Sequence, residues 1–159
     1  MKEAHADLRL PQKIDPSWRI GIVHSSYYKE EVYVMVKSAK SELLSAGIKE
    51  ENITLHPTAG SFEIPLIGSV LAKNNNVDAL IGFGIIVEGE THHAHLVAEN
   101  VARGIMDIQL ETGIPFAFEV LYVHTLLQAQ ERVQGEENRG KEAANAVISS
   151  LAQLHTMRS

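Results

Sequence analysis

A run of nine apolar or small residues at positions 79–87, ALIGFGIIV, places the strongest constraint on the fold of this chain. A strand with water on one face alternates apolar and polar side chains, whereas this run carries no polar side chain on either face. We therefore expect a strand that is buried on both sides. Strands of this kind occur in parallel sheets whose two faces are both covered by helices.

Strand and helix patterns alternate along the rest of the chain. Strands are predicted at residues 19–24, 53–56, 79–87 and 115–122. Helices are predicted at residues 31–46, 62–73, 92–111, 125–133 and 141–154. This order predicts an α/β three-layer sandwich, in which right-handed crossovers join a four-stranded parallel sheet to helices on both faces. Residues 1–17 are predicted to form an arm, and residues 18–159 a single domain.

Composition bounds the classes of function. The net charge of −6 argues against a broad nucleic-acid-binding surface. The chain has no cysteine, which excludes disulfides and thiolate metal sites and is typical of a reducing compartment. No signal-peptide core and no run of membrane-spanning length is present in the sequence. We expect a cytoplasmic protein that binds neither nucleic acid nor membrane.

The loop after the long apolar run is the most informative candidate for a site. Ligands of parallel sheets bind beyond the carboxyl ends of the strands. Residues 89–93, Gly-Glu-Thr-His-His, lead from the predicted buried strand directly into a predicted helix. The N–H groups and the dipole of a helix N-terminus attract anions. A histidine at that position can transfer protons near neutral pH.

The segment after the second strand, residues 60–65 (GSFEIP), has two interpretations. As a simple helix start, Ser61 would be the N-cap, Glu63 would complement the helix dipole and Pro65 would preset φ. As a binding loop, Gly60 would let the backbone approach a ligand, and Glu63 would accept hydrogen bonds from the ligand's hydroxyl groups.

Two further pairs of residues are open to a structural and a functional interpretation. Tyr27 and Tyr28, after the first strand, either cap the core or offer a flat face to a heterocycle. Arg132 and Arg139 form either a solvated basic face or a clamp for a phosphate group.

Three apparent motifs are rejected. The Gly82-Phe83-Gly84 segment lacks the third glycine of a dinucleotide fingerprint and lies inside a strand. The Gly-x-x-x-x-Gly-Lys pattern at residues 135–141 is followed by Glu142, where a P-loop has Ser or Thr. His92 and His95 have a spacing that could hold a metal, but a solvated first helical turn is favoured, and no metal is expected.

Three segments together resemble the lumazine synthase family, in order and in spacing. They are GSFEIP at 60–65, GETHH at 89–93, and QAQER at 128–132 followed by NRG at 138–140. The resemblance runs from about Arg19 to Leu154 and implies a flavodoxin-like fold. It also implies that the chain joins 5-amino-6-(D-ribitylamino)uracil to 3,4-dihydroxy-2-butanone 4-phosphate. The products would be 6,7-dimethyl-8-ribityllumazine, phosphate and water, in the penultimate step of riboflavin biosynthesis, with no cofactor.

The resemblance implies roles for individual residues. His93 occupies the family's proton-transfer position, and Arg132 its phosphate-binding position, assisted by backbone and hydroxyl groups around Glu90 and Thr91. The other implied contacts are stacking on the pyrimidine ring (Tyr27), the ribityl pocket (Gly60, Ser61, Phe62, Glu63), the ring edge (Ile86, Val87) and a neighbouring subunit's site (Phe118, Arg139).

The chain departs from the family pattern at several positions. Tyr28 replaces a small amide, Glu88 an Arg, Ala94 an aromatic residue, Glu119 a glycine and Tyr122 a threonine. The family builds its sites between the subunits of a pentamer, so the resemblance implies a homo-oligomer, as a pentamer, a decamer or a sixty-subunit shell. Two alternatives to an active enzyme stay open: a non-catalytic lumazine- or flavin-binding protein, and a shell-forming protein on the same scaffold.

Overall fold

A four-stranded, all-parallel sheet forms the centre of the protein. A computed structural model describes residues 10, 11 and 13–159. The strands are β1 (Ile20–Ser25), β2 (Ile53–Thr58), β3 (Ala79–Val87) and β4 (Phe116–Val123), and their order across the sheet is β2-β1-β3-β4. The predicted number of strands and their parallel pairing are confirmed.

Strand β3 is the buried strand that the apolar run predicts. Its residues are buried from Ala79 to Ile86. Its side chains enter two core clusters: Ile81 and Phe83 belong to one, and Leu80 and Ile86 to the other. The strand is therefore covered on both faces, as expected for a central strand of a parallel sheet.

Five α-helices cover the two faces. They are α1 (Lys29–Ser45), α2 (Ile64–Lys73), α3 (His93–Thr112), α4 (Leu126–Arg132) and α5 (Arg139–Arg158). Met35 of α1 and Ile148 of α5 pack in the first core cluster, and Ile64 of α2 and Ile105 of α3 pack in the second. This arrangement confirms the predicted three-layer sandwich. None of the helices among the described residues is long and apolar enough to cross a membrane.

Two element boundaries differ from prediction for local reasons. Strand β2 continues through Pro57 to Thr58, because β2 is an edge strand and its proline removes no hydrogen bond from a central ladder. Helix α5 begins at Arg139 rather than Lys141, because the Asn138 side chain accepts a hydrogen bond from the Gly140 N–H at 2.7 Å.

The predicted N-cap at Ser61 is wrong. A 3₁₀ turn, Ser61–Glu63, precedes α2, and the residue before that turn is Gly60. The prediction for Pro65 is confirmed, because this residue lies in the first turn of α2. Gly47, which follows α1, has φ of 105° and ends that helix as a left-handed glycine.

The predicted arm lies mostly outside the described residues, which exclude residues 1–9 and 12. In its described part, Ile14 packs against the first core cluster. The Pro16 carbonyl accepts hydrogen bonds from the Lys49 N–H at 3.2 Å and from the Asn52 side chain at 3.3 Å. These contacts hold the last residues of the segment against the domain.

Candidate active site

A cleft of about 700 Å³ opens at the edge of the sheet where the carboxyl ends of the strands meet. Its walls come from the loop after β1, the loop after β2, the end of β3 and the first turns of α3. The lining residues are Ser25, Tyr27, Tyr28, residues 59–63, residues 85–87, His93, Ala94, Leu96, Val97 and Asn100. The volume is in the range of clefts that hold small-molecule ligands.

The cleft brings together most of the residues that sequence analysis singled out. Those that line it are Tyr27, Gly60, Ser61, Phe62, Glu63, Ile86, Val87 and His93. Those that do not line it are Glu90, Thr91, Phe118, Arg132 and Arg139. The residues expected around a ring and its hydroxylated chain thus lie together in the cleft, whereas those expected around a phosphate lie outside it.

The loop after β2 is held in shape by its own carboxylate. The Gly60 N–H donates a hydrogen bond to Glu63 Oε2 at 3.0 Å. A methyl group on Gly60 would come within 3.3 Å of both Glu63 Oε2 and Tyr27 Cε2. The glycine therefore allows the backbone to pack close to the tyrosine ring. Glu63 is therefore compatible with both a structural and a ligand-binding role, because its carboxylate orders the loop and its side chain lines the cleft.

Ser61 is seated against β3. Its side chain is buried, and a methyl group on Gly84 would lie 2.2 Å from Ser61 Oγ. A methyl group on Gly82 would come within 3.0 Å of Ile64 at the start of α2. The two glycines of the rejected nucleotide motif are therefore packing positions, where the loop and α2 approach the strand closely.

The two tyrosines after β1 face the cleft in different backbone conformations. Tyr27 is 67% exposed, so it does not cap the core. Its N–H donates to Ser25 Oγ at 3.1 Å. Tyr28, which precedes α1, has φ of 49° and ψ of 50°. This left-handed conformation is strained for an aromatic residue and is more readily adopted by asparagine.

His93 is the first residue of α3 and the one histidine of residues 92–95 that lines the cleft. Its N–H donates to Thr91 Oγ1 at 3.3 Å, which holds the start of the helix. His95 points elsewhere: its ring lies 6.2 Å from the Tyr122 ring, and its Nε2 is 3.6 Å from Glu99 Oε2. No group of three or more potential metal ligands occurs among the described residues.

The two arginines lie at helix ends near the same edge of the sheet. Arg132 ends α4, and its Nη1 donates to the Gln128 carbonyl at 2.9 Å. Arg139 begins α5, and its Nη1 lies 3.1 Å from Glu142 Oε2. Phe118 is on the edge strand β4 and is 44% exposed. Neither arginine lines the cleft.

The departures from the family pattern fall into two groups. Tyr28 and Ala94 line the cleft, so they can alter what it holds. Glu88, Glu119 and Tyr122 lie outside it. Glu119 is on β4, in register with Phe83 of β3.

Sequence analysis missed the cleft-facing side of α3 beyond its first residue. Leu96, Val97 and Asn100 line the cleft, and the Asn100 side chain donates to the Leu96 carbonyl at 2.8 Å. Their spacing from His93 is that of one helix face. Extending the helical period from His93 would have found them.

Two histidines of the sheet have shifted pKa values, although neither lines the cleft. Burial lowers the pKa of His24 on β1. Burial, followed by repulsion from His24, lowers the pKa of His56 on β2. Both groups therefore favour their neutral forms.

The fold and the cleft define a flavodoxin-like α/β protein with a small-molecule site at the carboxyl edge of its sheet. The family model for 6,7-dimethyl-8-ribityllumazine synthase matches residues 17–155. The chain belongs to this family, which is one of transferases in riboflavin biosynthesis.

Individual relatives agree over nearly their whole length. The chain is 36% identical to the 6,7-dimethyl-8-ribityllumazine synthase of Methylobacillus flagellatus, over 84% of this chain and 87% of the relative. It is 35% identical to that of Aquifex aeolicus, over 88% of this chain and 92% of the relative. It is also 35% identical to that of Thermococcus gammatolerans, over 87% of this chain and 89% of the relative.

Proposed function

We propose that this chain condenses 5-amino-6-(D-ribitylamino)uracil with 3,4-dihydroxy-2-butanone 4-phosphate to form 6,7-dimethyl-8-ribityllumazine, as in the family to which it belongs. The observation that carries the proposal is that His93 lines the same cleft as Tyr27 and the loop at residues 60–63. The family match favours this catalytic hypothesis over a non-catalytic binding protein.

The pyrimidine substrate suits the cleft by shape and polarity. Tyr27 presents an exposed ring on which the pyrimidine can stack. The loop at residues 60–63 lies beside it and offers backbone groups and the Glu63 carboxylate to the ribityl hydroxyls. Ile86 and Val87 supply an apolar edge for the ring.

His93 is proposed to move the protons of the reaction. The substrate amine attacks the ketone carbonyl, water leaves as the Schiff base forms, and phosphate is then eliminated. The ribitylamino nitrogen then attacks the carbonyl that this elimination creates, and loss of a second water closes the ring. Each step transfers a proton, and an imidazole that titrates near neutral pH can both accept and donate it. Holding the two substrates in register accounts for much of the remaining rate enhancement.

The phosphate is proposed to bind at the start of α3. Thr91 and the backbone around Glu90 lie directly before this helix, where N–H groups and the helix dipole favour an anion. We propose that Arg132 exchanges its bond with the Gln128 carbonyl for the phosphate oxygens. An arginine keeps its positive charge throughout the elimination.

A pentamer is proposed as the smallest complete unit. Large apolar side chains are exposed on several elements: Phe62 and Leu66 at the start of α2, Leu110 on α3, Phe118 on β4 and Leu127 on α4. Contact with a neighbouring subunit would remove such side chains from water. In a pentamer, Phe118 and Arg139 would reach the neighbour's cleft. Light scattering distinguishes a pentamer from a decamer or a shell.

A cytoplasmic location and the lack of nucleic-acid and membrane partners stay predictions.

The direct test is a fluorescence assay of purified protein with both substrates, together with a riboflavin titration. We expect His93→Ala to lower kcat about 100-fold, because it removes the proton-transfer group. Riboflavin affinity should stay within about twofold. His92→Ala is the matched control, because His92 does not line the cleft and its loss should leave kcat nearly unchanged.

Two results would contradict the proposal. If the wild-type protein forms no lumazine above the uncatalysed rate but binds riboflavin, the chain is a binding protein on the same scaffold. If His93→Ala changes neither kcat nor binding, then His93 does not have the proposed role.

A further inference from the structure

A polar cluster joins the ends of β3 and β4, outside the cleft. Glu88 follows β3, and its N–H donates to the Val123 carbonyl at 2.8 Å, which continues the strand pairing. Its carboxylate Oε2 contacts His124 Nδ1 directly. The backbone and the side chain of Glu88 thus both bind the chain segment at the end of β4.

The cluster lies at the protein surface, between the end of β4 and the first turn of α3, and the side chains of His124 and Glu88 are 75% and 42% exposed. The pKa of Tyr122 is raised, first by desolvation and then by the charge of the Glu88 carboxylate. The Tyr122 ring contacts the His95 ring on α3, and His95 pairs with Glu99 on the same helix. His124 is the basic group in contact with the Glu88 carboxylate.

The charge of Glu88 matters for phosphate binding because of the position of this residue in the chain. Glu88 directly precedes Gly89, Glu90 and Thr91, the proposed phosphate-binding segment, and the family resemblance places an arginine there. A carboxylate that turned toward this segment would repel a phosphate group. His124 instead keeps the carboxylate directed toward β4.

Building on the proposed function, we propose that His124 is a positioning residue that sets the affinity for the phosphorylated substrate by holding the Glu88 carboxylate against β4. His124 touches neither substrate in this arrangement and acts through Glu88. Its loss should therefore weaken phosphate binding only while residue 88 carries a charge.

The experiment measures the dissociation constant of inorganic phosphate by isothermal titration calorimetry on the full chain. His124→Ala should raise this constant about fivefold, the scale of one partly screened charge. Glu88→Gln should not raise it, and the double variant should match Glu88→Gln. His95→Ala is the matched control, because His95 contacts Tyr122 but not Glu88, and should leave phosphate binding unchanged.

Steady-state kinetics separate this role from a structural one. His124→Ala should raise KM for the phosphorylated substrate about fivefold and leave KM for the pyrimidine substrate unchanged. If His124 has only a structural role, His124→Ala should change both KM values, and its weaker phosphate binding should persist in the double variant. That result overturns the proposal. Equal phosphate affinity in His124→Ala and wild type, or no phosphate binding by the wild type, also overturns it.

The proposed function can fail independently. A wild-type protein that makes no lumazine but shows the expected pattern of phosphate affinities contradicts the catalytic proposal and supports the role of His124. A wild-type protein that makes lumazine, with phosphate binding unaffected by His124→Ala, contradicts only the role of His124.

Discussion

The loops after β2 and β3 both lie at the carboxyl edge of the sheet, but they are built differently. In the loop after β2, Ser61 is buried against Gly84, and Glu63 accepts a hydrogen bond from the Gly60 N–H. In the segment after β3, residues 88–93 are all exposed, and Thr91 Oγ1 accepts one hydrogen bond from the His93 N–H.

The difference separates a loop that is ordered by the core from a segment that is not. Packing and hydrogen bonds order the loop after β2 in the absence of a ligand, so little entropy is lost there when a substrate binds. The segment after β3 carries the proposed proton-transfer and phosphate-binding groups without such support from the core. We therefore expect changes near β2 to affect stability and binding together, and changes after β3 to affect phosphate binding and turnover with little effect on stability.

The largest change in stability is expected when a methyl group is added at Gly84, and the same addition at Gly89 is the matched comparison. Gly84→Ala should lower the free energy of unfolding by about 3 kcal/mol, because the new Cβ would overlap Ser61 Oγ. Gly89→Ala should change it by less than about 0.5 kcal/mol, because nothing lies within 4 Å of the new Cβ. Urea unfolding measures both changes in stability, and riboflavin titration measures whether binding changes with them.

A compensating variant makes the Gly84 prediction stricter. Ser61→Gly removes the overlapping side chain, so the Gly84→Ala/Ser61→Gly protein should recover much of the lost stability. If Gly84→Ala and Gly89→Ala are equally harmless, the loop after β2 is not held by packing against β3, and the comparison fails.

A smaller effect on stability is expected at Tyr28, which lines the cleft. Tyr28→Asn should raise the free energy of unfolding by about 1 kcal/mol, because asparagine tolerates the left-handed backbone better than tyrosine. Tyr28→Phe is the control, since it keeps the strain and should leave stability unchanged. Lower stability of Tyr28→Asn, measured by chemical denaturation, would show that ring contacts outweigh the backbone strain.

The smallest change in stability is expected at Thr91. Thr91→Ala removes the acceptor of the His93 N–H and should lower the free energy of unfolding by about 0.5 kcal/mol. It should also lower kcat about threefold, because His93 is less well positioned. Thr91→Ser keeps the hydroxyl and should behave as wild type. Equal kcat values for the alanine and serine variants would show that this hydrogen bond does not position His93.

Local sequence patterns predicted which strands and helices form better than they predicted where these elements begin and end. The apolar run of β3 predicts a buried strand because a central strand has no face for polar side chains. The second strand was predicted to end at His56, and its position at the edge of the sheet explains why it continues through Pro57. Ser61 suggested an N-cap, but its side chain is buried against β3 instead.

The sequence by itself determined the layers, the carboxyl-edge loops and the family, because apolar periodicity, glycine and proline punctuation and short motifs are properties of neighbouring residues. Only the tertiary structure decided that Asn100 faces the cleft, that Arg132 and Arg139 lie outside it, and that Glu88 pairs with His124. These facts depend on strand register and helix orientation, which bring together residues far apart along the chain. The proposed completion of the cleft by a neighbouring subunit depends in the same way on surfaces that no local pattern encodes.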